Sequence, residues 1–413
     1  MVDQIQWVNA LSTRASLEAA VIEVVEQVQQ SISEVPDLGI VFISSAYASE
    51  YSRLVPLLIE HLPLPIIIGC GGGGIVGMPD LKQVLEVEFE SALSLSVAKL
   101  PSVTVEAFHF TASELPDSDS SPEAWTALVG VPAHQNPQFI LLSDPASQIN
   151  NLLEGLDFAY PEAAKVGGLA SSGSLGMPSG LFCYSKKHPE QHFYREGTVG
   201  VALSGNLVVE TIVAQGCRPI GQPYLINKGE RNIVFELAKM EADSGPSYYS
   251  PLEALRETVQ NLSERDRALA QHALFVGVVR DEFQTTLEQG DFLIRNLLGV
   301  DPKLEAIAIG DRVRPGQRIQ FHLRDAQTSA EDLELLLQAY QRKPSAPKGA
   351  LLFSCLGRGK ALYGRPNFDS EMFRRYLDNI PLGGFFCSGE IGPVGGRTFL
   401  HGYTSAFAIF SQP

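Results

Sequence analysis

The stretch Gly39–Gly72, GIVFISSAYASEYSRLVPLLIEHLPLPIIIGCGG, sets out the repeating unit of this chain. It opens with a short apolar run ending in serines, passes through a segment of helical spacing that stops at Pro63, and closes with a second apolar run ending in glycines. Strands bury short continuous runs and helices bury one stripe, so the order reads as strand, helix, strand. The same order recurs. Phe139 begins FILLSDP, the helical SQINNLLEGLDFAY follows, and KVGGLASSG from Lys165 closes the unit. Ala350 begins ALLFSCLGRG, SEMFRRYLDN follows as helix, and GGFFCSGEIG from Gly383 closes it. A fainter fourth copy is expected from Ala273, with ALFVGVV as strand, FLIRNLLG as helix and LEAIAIGD as strand.

Outward from these units, Leu17, Val21, Val24, Val25 and Val28 share one face of a helix expected over Ser16–Ser31. Long β-rich regions from Glu86 and from Leu181 add antiparallel strands, so the sheets should be mixed. The expected class is α/β: two related domains with mixed β-sheets covered by helices, built from internally duplicated strand–helix–strand units. The acidic loop Glu114–Glu123 lies within the first half, and Glu241–Pro251 has the composition of a connector. The expected organisation is an N-terminal helix and lead-in over 1–37, one domain over 38–235 and a second over 236–413.

Composition excludes several functions. The 413 residues are 45% hydrophobic and 19% charged, which is globular and neither disordered nor fibrous. The formal charge of −16 argues against nucleic acid, whose phosphates need clustered Lys and Arg. Five cysteines without a CxxC pair favour a reducing compartment. No basic, apolar leader and no bilayer-length apolar run is present, so no membrane insertion and a cytoplasmic location are expected.

Glycine loops at strand ends are the loudest chemical signal. Cys70, Gly71 and Gly72 lie in a stretch from Gly69 to Gly74 that formally matches GxGxxG, yet Pro79 follows where a dinucleotide fold would open a helix. The more informative loop is Cys387-Ser388-Gly389-Glu390. A carboxylate among glycines can take an ammonium or hydroxyl group, and exposed amides beside it can take an anion. The alternative is that Glu390 braces a turn and the glycines serve the backbone. Arg358, at the neighbouring strand end, is the fork-shaped donor for a carboxylate, or else the ion-pair partner of Glu390. Cys387 or Cys355 as the nucleophile of an enzyme lacks a motif joining it to a histidine and carboxylate. Cys183, His188 and His192 are close in sequence, but Pro189 makes that stretch a hairpin turn rather than a metal site.

These stretches resemble the FIST family, named for F-box and intracellular signal transduction proteins. ALLFSCLGRGKALYG, GGFFCSGEIGPVGG, HGYTSAFAIF and the run from Phe292 to Ala326 are similar to its C-terminal domain. GIVFISS, PIIIGCGGGGIVG, KVGGLASSG and GTVGVALSGNLVVETIVAQGCRPIG are similar to its N-terminal domain. The resemblance implies a non-enzymatic sensory protein that binds a small ligand, with amino acids proposed as ligands, and that signals to a separate protein partner. It also carries the alternative of a haem-based sensor, while no cofactor is expected from the residues themselves. One departure stands out: the family's N-terminal loop usually reads close to GCSTAGEI, and here Gly71 to Gly74 replace its hydroxyl and acidic side chains. The expected ligand contacts are therefore Arg358, Cys387, Ser388, Gly389 and Glu390, with Cys70, Gly71 and Gly72 beside them.

Overall fold

The computed structural model describes residues 4–80, 82–117, 119–172, 180–241 and 245–413. The connector Glu241–Pro251, the loop Glu114–Glu123 and the end of KVGGLASSG therefore lie partly outside the described residues. Two compact bodies are formed, one from Met1–Ala214 together with Leu333–Pro413, the other from Gln215–Asp332.

The larger body begins with β1 (Gln6–Ser12) and α1 (Leu17–Ser31). The Ser16 hydroxyl caps the Ala19 amide, and Leu17, Val21, Val24, Val25 and Val28 are all buried, as apolar residues at helical spacing must be when one face meets a sheet. The first unit is β2 (Leu38–Ser44), α2 (Tyr51–His61) and β3 (Ile66–Gly72), with its two strands parallel. It continues through β4 (Gly74–Asp80), β5 (Gln83–Glu88), β6 (Leu93–Lys99) and β7 (Val103–Phe110). After α3 (Pro122–Val129) the second unit is β8 (Gln138–Ser143), α4 (Ile149–Ala159) and β9 (Lys165–Leu169), again a parallel pair. It continues through β10 (Leu181–Ser185), β11 (Phe193–Tyr194), β12 (Thr198–Gly205) and β13 (Val208–Ala214).

The smaller body comes next in the chain. It holds β14 (Cys217–Glu230), β15 (Ile233–Glu241), β16 (Gly245–Tyr249), α5 (Pro251–Gln260), α6 (Glu264–Ala270), β17 (Leu274–Val279), β18 (Phe292–Asp301), β19 (Ala306–Ile309) and β20 (Arg318–Arg324). The pairings run β14, β20, β17, β18, β19, β15 and back to β14, so six antiparallel strands close into a barrel with β16 added on β15. The fourth strand–helix–strand copy is corrected here. FLIRNLLG is not a helix but the first part of β18, laddered to β17 from Phe275↔Asn296 to Val279↔Phe292. Its three consecutive buried residues, Phe292, Leu293 and Ile294, form a short run that periodicity cannot divide between helix and strand, and tertiary pairing decided it.

The chain then crosses α7 (Ala326–Gln341) into the third unit, β21 (Gly349–Cys355), α8 (Gly359–Tyr363), α9 (Phe368–Tyr376) and β22 (Leu382–Cys387), followed by β23 (Glu390–Val394), β24 (Arg397–His401) and β25 (Ser405–Ser411). Here too the unit's two strands, β21 and β22, are parallel. Each of the three units seeds one six-stranded mixed sheet: β1-β6-β2-β3-β10-β11, β24-β23-β9-β8-β12-β7 and β13-β25-β21-β22-β4-β5. None is completed by its own following hairpin. Strands β4 and β5 leave the first unit to pair with β22, β10 and β11 leave the second to pair with β3, and β23 and β24 leave the third to pair with β9. The exchange is cyclic.

The three sheets share one core, in which Phe42 stacks on Phe385 at 4.8 Å and both rings meet Phe353 edge-on. Complete burial of one such ring contributes roughly 1.5–3 kcal/mol. Helices α1 and α2 cover the first sheet's outer face, α3 and α4 the second's, and α9 lays Phe373 on Phe407 of the third. Close strand approach also dictates Gly167, where a Cβ would stand 1.8 Å from the Leu141 carbonyl oxygen. Gly167→Ala should therefore lower the stability of this body by about 1–3 kcal/mol. Tryptophan fluorescence during urea unfolding reads it, because both tryptophans, Trp7 and Trp125, belong to this body; an unshifted midpoint would contradict the packing.

Candidate functional site

The three exchanges bring three small-residue turns to the same place. Ser171, just past β9, joins them: its amide donates to the Gly71 carbonyl at 3.1 Å, its hydroxyl accepts from the Gly73 amide at 2.8 Å, and the same hydroxyl donates to the Phe386 carbonyl. The turn after β22 is tied to β9 by Ser388 N to Leu169 O at 3.1 Å and Leu169 N to Gly389 O at 2.8 Å. Glycine is required where these strands converge. A Cβ at Gly74 would lie 2.7 Å from the Phe386 ring, and one at Gly168 would lie 3.0 Å from Cys387 Sγ.

Around this junction sits a buried charged cluster. Arg358 is fully buried and grips Asp369 with both arms of its guanidinium, Nε to Oδ2 at 2.8 Å and Nη2 to Oδ1 at 3.0 Å, while Tyr363 Oη accepts from Nη2 at 2.6 Å. Burial alone would raise the Asp369 carboxyl, but the Arg358 charge outweighs it and holds the group below its ordinary range. Glu86, on β5, is buried beside Asp369 and accepts from the Ser370 amide at 2.7 Å. Burial, reinforced by the Asp369 charge, pushes its carboxyl up to about 8.

Glu390 opens β23 with no exposed surface. One carboxyl oxygen accepts from the Thr404 amide at 2.9 Å, and the other lies 3.2 Å from Cys387 Sγ. Burial pushes this carboxyl up to about 8 as well, with the Thr404 amide opposing, so at neutral pH Glu390 is a proton-carrying acid. The junction therefore combines one buried ion pair with two carboxyls that burial holds above their ordinary range.

The sequence-derived candidates fall as follows. Cys387, Ser388, Gly389 and Glu390 form the turn between β22 and β23, and Cys355, at the end of β21, is the register partner of Cys387. Arg358 lies nearby, but its partner is Asp369, and the Arg358–Glu390 ion pair considered from sequence does not form. The Ser388 amide is occupied by Leu169, and the Gly71 amide donates to Gly180 at 2.8 Å. Cys70, Gly71 and Gly72 are all buried in β3, with a Cβ at Gly71 meeting Tyr51 Oη at 2.8 Å. The Ser388 and Gly71 amides are thus engaged in hydrogen bonds between the exchanged segments.

Cys70 and Cys387 are completely buried, and desolvation pushes both thiols well above the ordinary range, which keeps them protonated and poor nucleophiles. His401 turns its Nε2 to the Gly392 carbonyl at 3.0 Å and is buried, so among the described residues the junction offers neither an open histidine nor an open cysteine as an axial ligand, and these residues do not fit a haem. Cys183, His188 and His192 form no metal-binding group, and no cluster of such ligands lies among the described residues. Ser171, Glu86, Asp369 and Thr404 were not singled out from sequence: Ser171 and Thr404 stand in the quoted stretches KVGGLASSG and HGYTSAFAIF without a chemical signature of their own, and each of the four reaches the junction only through contacts between distant segments. Among the described residues of these turns and the adjoining loops, Ser388 is exposed and Ser172, Leu356, Gly357, Gly402 and Tyr403 are half-buried.

No helix among the described residues is long and apolar enough to cross a membrane. The FIST N domain family matches residues 37–240 and the FIST C domain family residues 251–393. An uncharacterized protein of Mycobacterium bovis is 33% identical over 401 residues, 96% of this chain and 97% of the relative. A second uncharacterized protein, from Mycobacterium tuberculosis, is 33% identical over 403 residues, 97% of this chain and 98% of the relative. An F-box/LRR-repeat protein of Arabidopsis thaliana is 29% identical over 160 residues, 33% of this chain and 30% of the plant protein. FIST domains are recognised as sensory and signal-transduction domains. With both domain families matched in order along most of its length, the chain belongs to the FIST family.

Proposed function

We propose that this protein is a cytoplasmic sensory module that binds a small polar metabolite, an amino acid or a close analogue, at the exposed turn of the strand-exchange junction, and that passes the signal to a separate protein. The observation that carries the proposal is the pairing of an exposed turn with a buried, neutral acid beneath it: Ser388 is open to solvent while Glu390, two residues on, is fully buried. Such a carboxyl can donate a hydrogen bond or give up its proton to meet a cation, and that is a recognition device a surface glutamate lacks. Arg358 acts as a positioning residue, since its fork is committed to Asp369 and holds the loop after β21 in place. Because strands from three units meet at this turn, a ligand seated there would alter the packing of three sheets together, which gives a binding event a route to a partner.

The test is calorimetric titration with the twenty common L-amino acids and native mass spectrometry of freshly purified protein. Ser388→Trp places a large ring over the turn at an exposed position, so folding should be unchanged within about 0.5 kcal/mol. Affinity for whichever amino acid binds should fall by about tenfold or more. Undiminished binding by Ser388→Trp would remove the ligand from this turn.

A further inference from the structure

We propose that the smaller body carries a second ligand site, a cleft at an irregularity of β14 that takes a small zwitterion, with the ligand's carboxylate on Lys239 and its ammonium on Glu257. The cleft has a volume of about 360 Å³. That is at the small end of the roughly 300–1,000 Å³ typical of ligand sites, suited to one amino-acid-sized molecule.

The irregularity is built rather than accidental. On β14, Ile220 pairs with Phe321 and Tyr224 pairs with Ile319, so three residues, Gly221 to Pro223, face only Gln320 on β20. A ladder interrupted in this way leaves backbone carbonyls to be satisfied. Gln320, itself buried, supplies the partner: its side-chain amide donates to the Gly221 carbonyl at 3.1 Å. Gly221 takes φ +63°, a conformation that favours glycine, and a Cβ there would come within 3.0 Å of the Thr258 side chain on α5. The bulge thus needs glycine both for its turn and for its close approach to α5, and the two elements that meet there form walls of the cleft.

The chemistry of the walls selects the ligand. Lys239 from β15 and Glu257 from α5 both line the cleft, and neither forms an ion pair among the described residues. Gln222, another polar wall residue beside Tyr224, Thr258 and Asn261, donates to Tyr224 Oη at 3.3 Å, which holds its amide in the same wall. A cation and an anion presented from different elements, with an amide beside them, match a molecule that carries both charges. A simple anion would be repelled by Glu257, and a simple cation by Lys239.

The test uses the full chain and a panel of L-amino acids as probes, with the N-acetyl and the C-terminal amide form of each that binds. The expected result is that Lys239→Met and Glu257→Gln each weaken binding of one amino acid by about tenfold or more, and that both blocked forms lose affinity by a similar factor. Thermal melting checks that both variants remain folded; the two positions are on the cleft wall, outside the barrel core. Ser388→Trp separates the two sites, because loss at the strand-exchange turn and loss at this cleft then appear in different variants. If no amino acid binds at millimolar concentration, or if all binding survives the Lys239→Met/Glu257→Gln double variant, the second site does not exist.

Discussion

Asp369→Ala should destabilise the larger body by about 3–5 kcal/mol, because it strands the Arg358 guanidinium, fully buried, without its counter-charge. What remains to Arg358 is the Tyr363 hydroxyl at 2.6 Å and the Tyr403 carbonyl at 3.4 Å, neither of which offsets a whole charge. Arg358→Ala should be comparably costly, since Asp369 would lose its fork while Glu86 stays beside it. The pair as such is a different matter: replacing both by apolar residues, Arg358→Met with Asp369→Leu, removes the two desolvation costs together and should be milder than either single change. Urea unfolding followed by fluorescence of Trp7 and Trp125 isolates this body from the barrel. A loss below about 1 kcal/mol for Asp369→Ala would mean that water reaches the pair.

The second large effect is on pH dependence. In the folded chain Glu86 and Glu390 keep their protons up to about 8, whereas in the unfolded chain they release them near the ordinary 4.5. Between those values the folded state binds more protons than the unfolded one, so stability is full below about 4.5 and is lost as pH rises through about 8. Each group contributes a slope of at most about 1.4 kcal/mol per pH unit within that window. Asp369 works in the opposite sense, but its carboxyl is held below the ordinary range and titrates only in more acid solution. Glu390→Gln, which keeps the shape and the Thr404 hydrogen bond while removing the titration, should flatten the profile and make the variant the more stable protein at about pH 8 to 9. Unfolding midpoints measured from about pH 5 to 9 decide it; a parallel profile for wild type and variant would show that Glu390 is already ionised.

Much of the larger body was legible because strand–helix–strand units are local. Gly39–Gly72 carries its own periodicity, its own proline stop and its own glycines, and the copies from Phe139 and Ala350 repeat them. The turn Cys387–Glu390 was legible for the same reason, as a carboxylate among small residues at a strand end. The helix expected over Phe292–Gly299 failed where local information is thinnest, in a short apolar run whose state was chosen by its neighbour β17. Asp369 and Glu86 gave no signal at all: an aspartate in the first turn of α9 and a glutamate in an alternating strand look like ordinary surface positions until folding buries them.

The three local units, the mixed character of their sheets and the family are legible in the amino-acid order alone, since each follows from patterns within a few tens of residues. The cyclic exchange of hairpins among the sheets, the pairing of Arg358 with Asp369 rather than Glu390, and the burial that pushes the Glu390 carboxyl above its ordinary range arise only on folding. The physical reason is shared by all three. Strand partners such as Phe386 and Gly74 are far apart in the chain, and ladder pairing, ion pairing and desolvation depend on what folding brings near a group and how much water it removes.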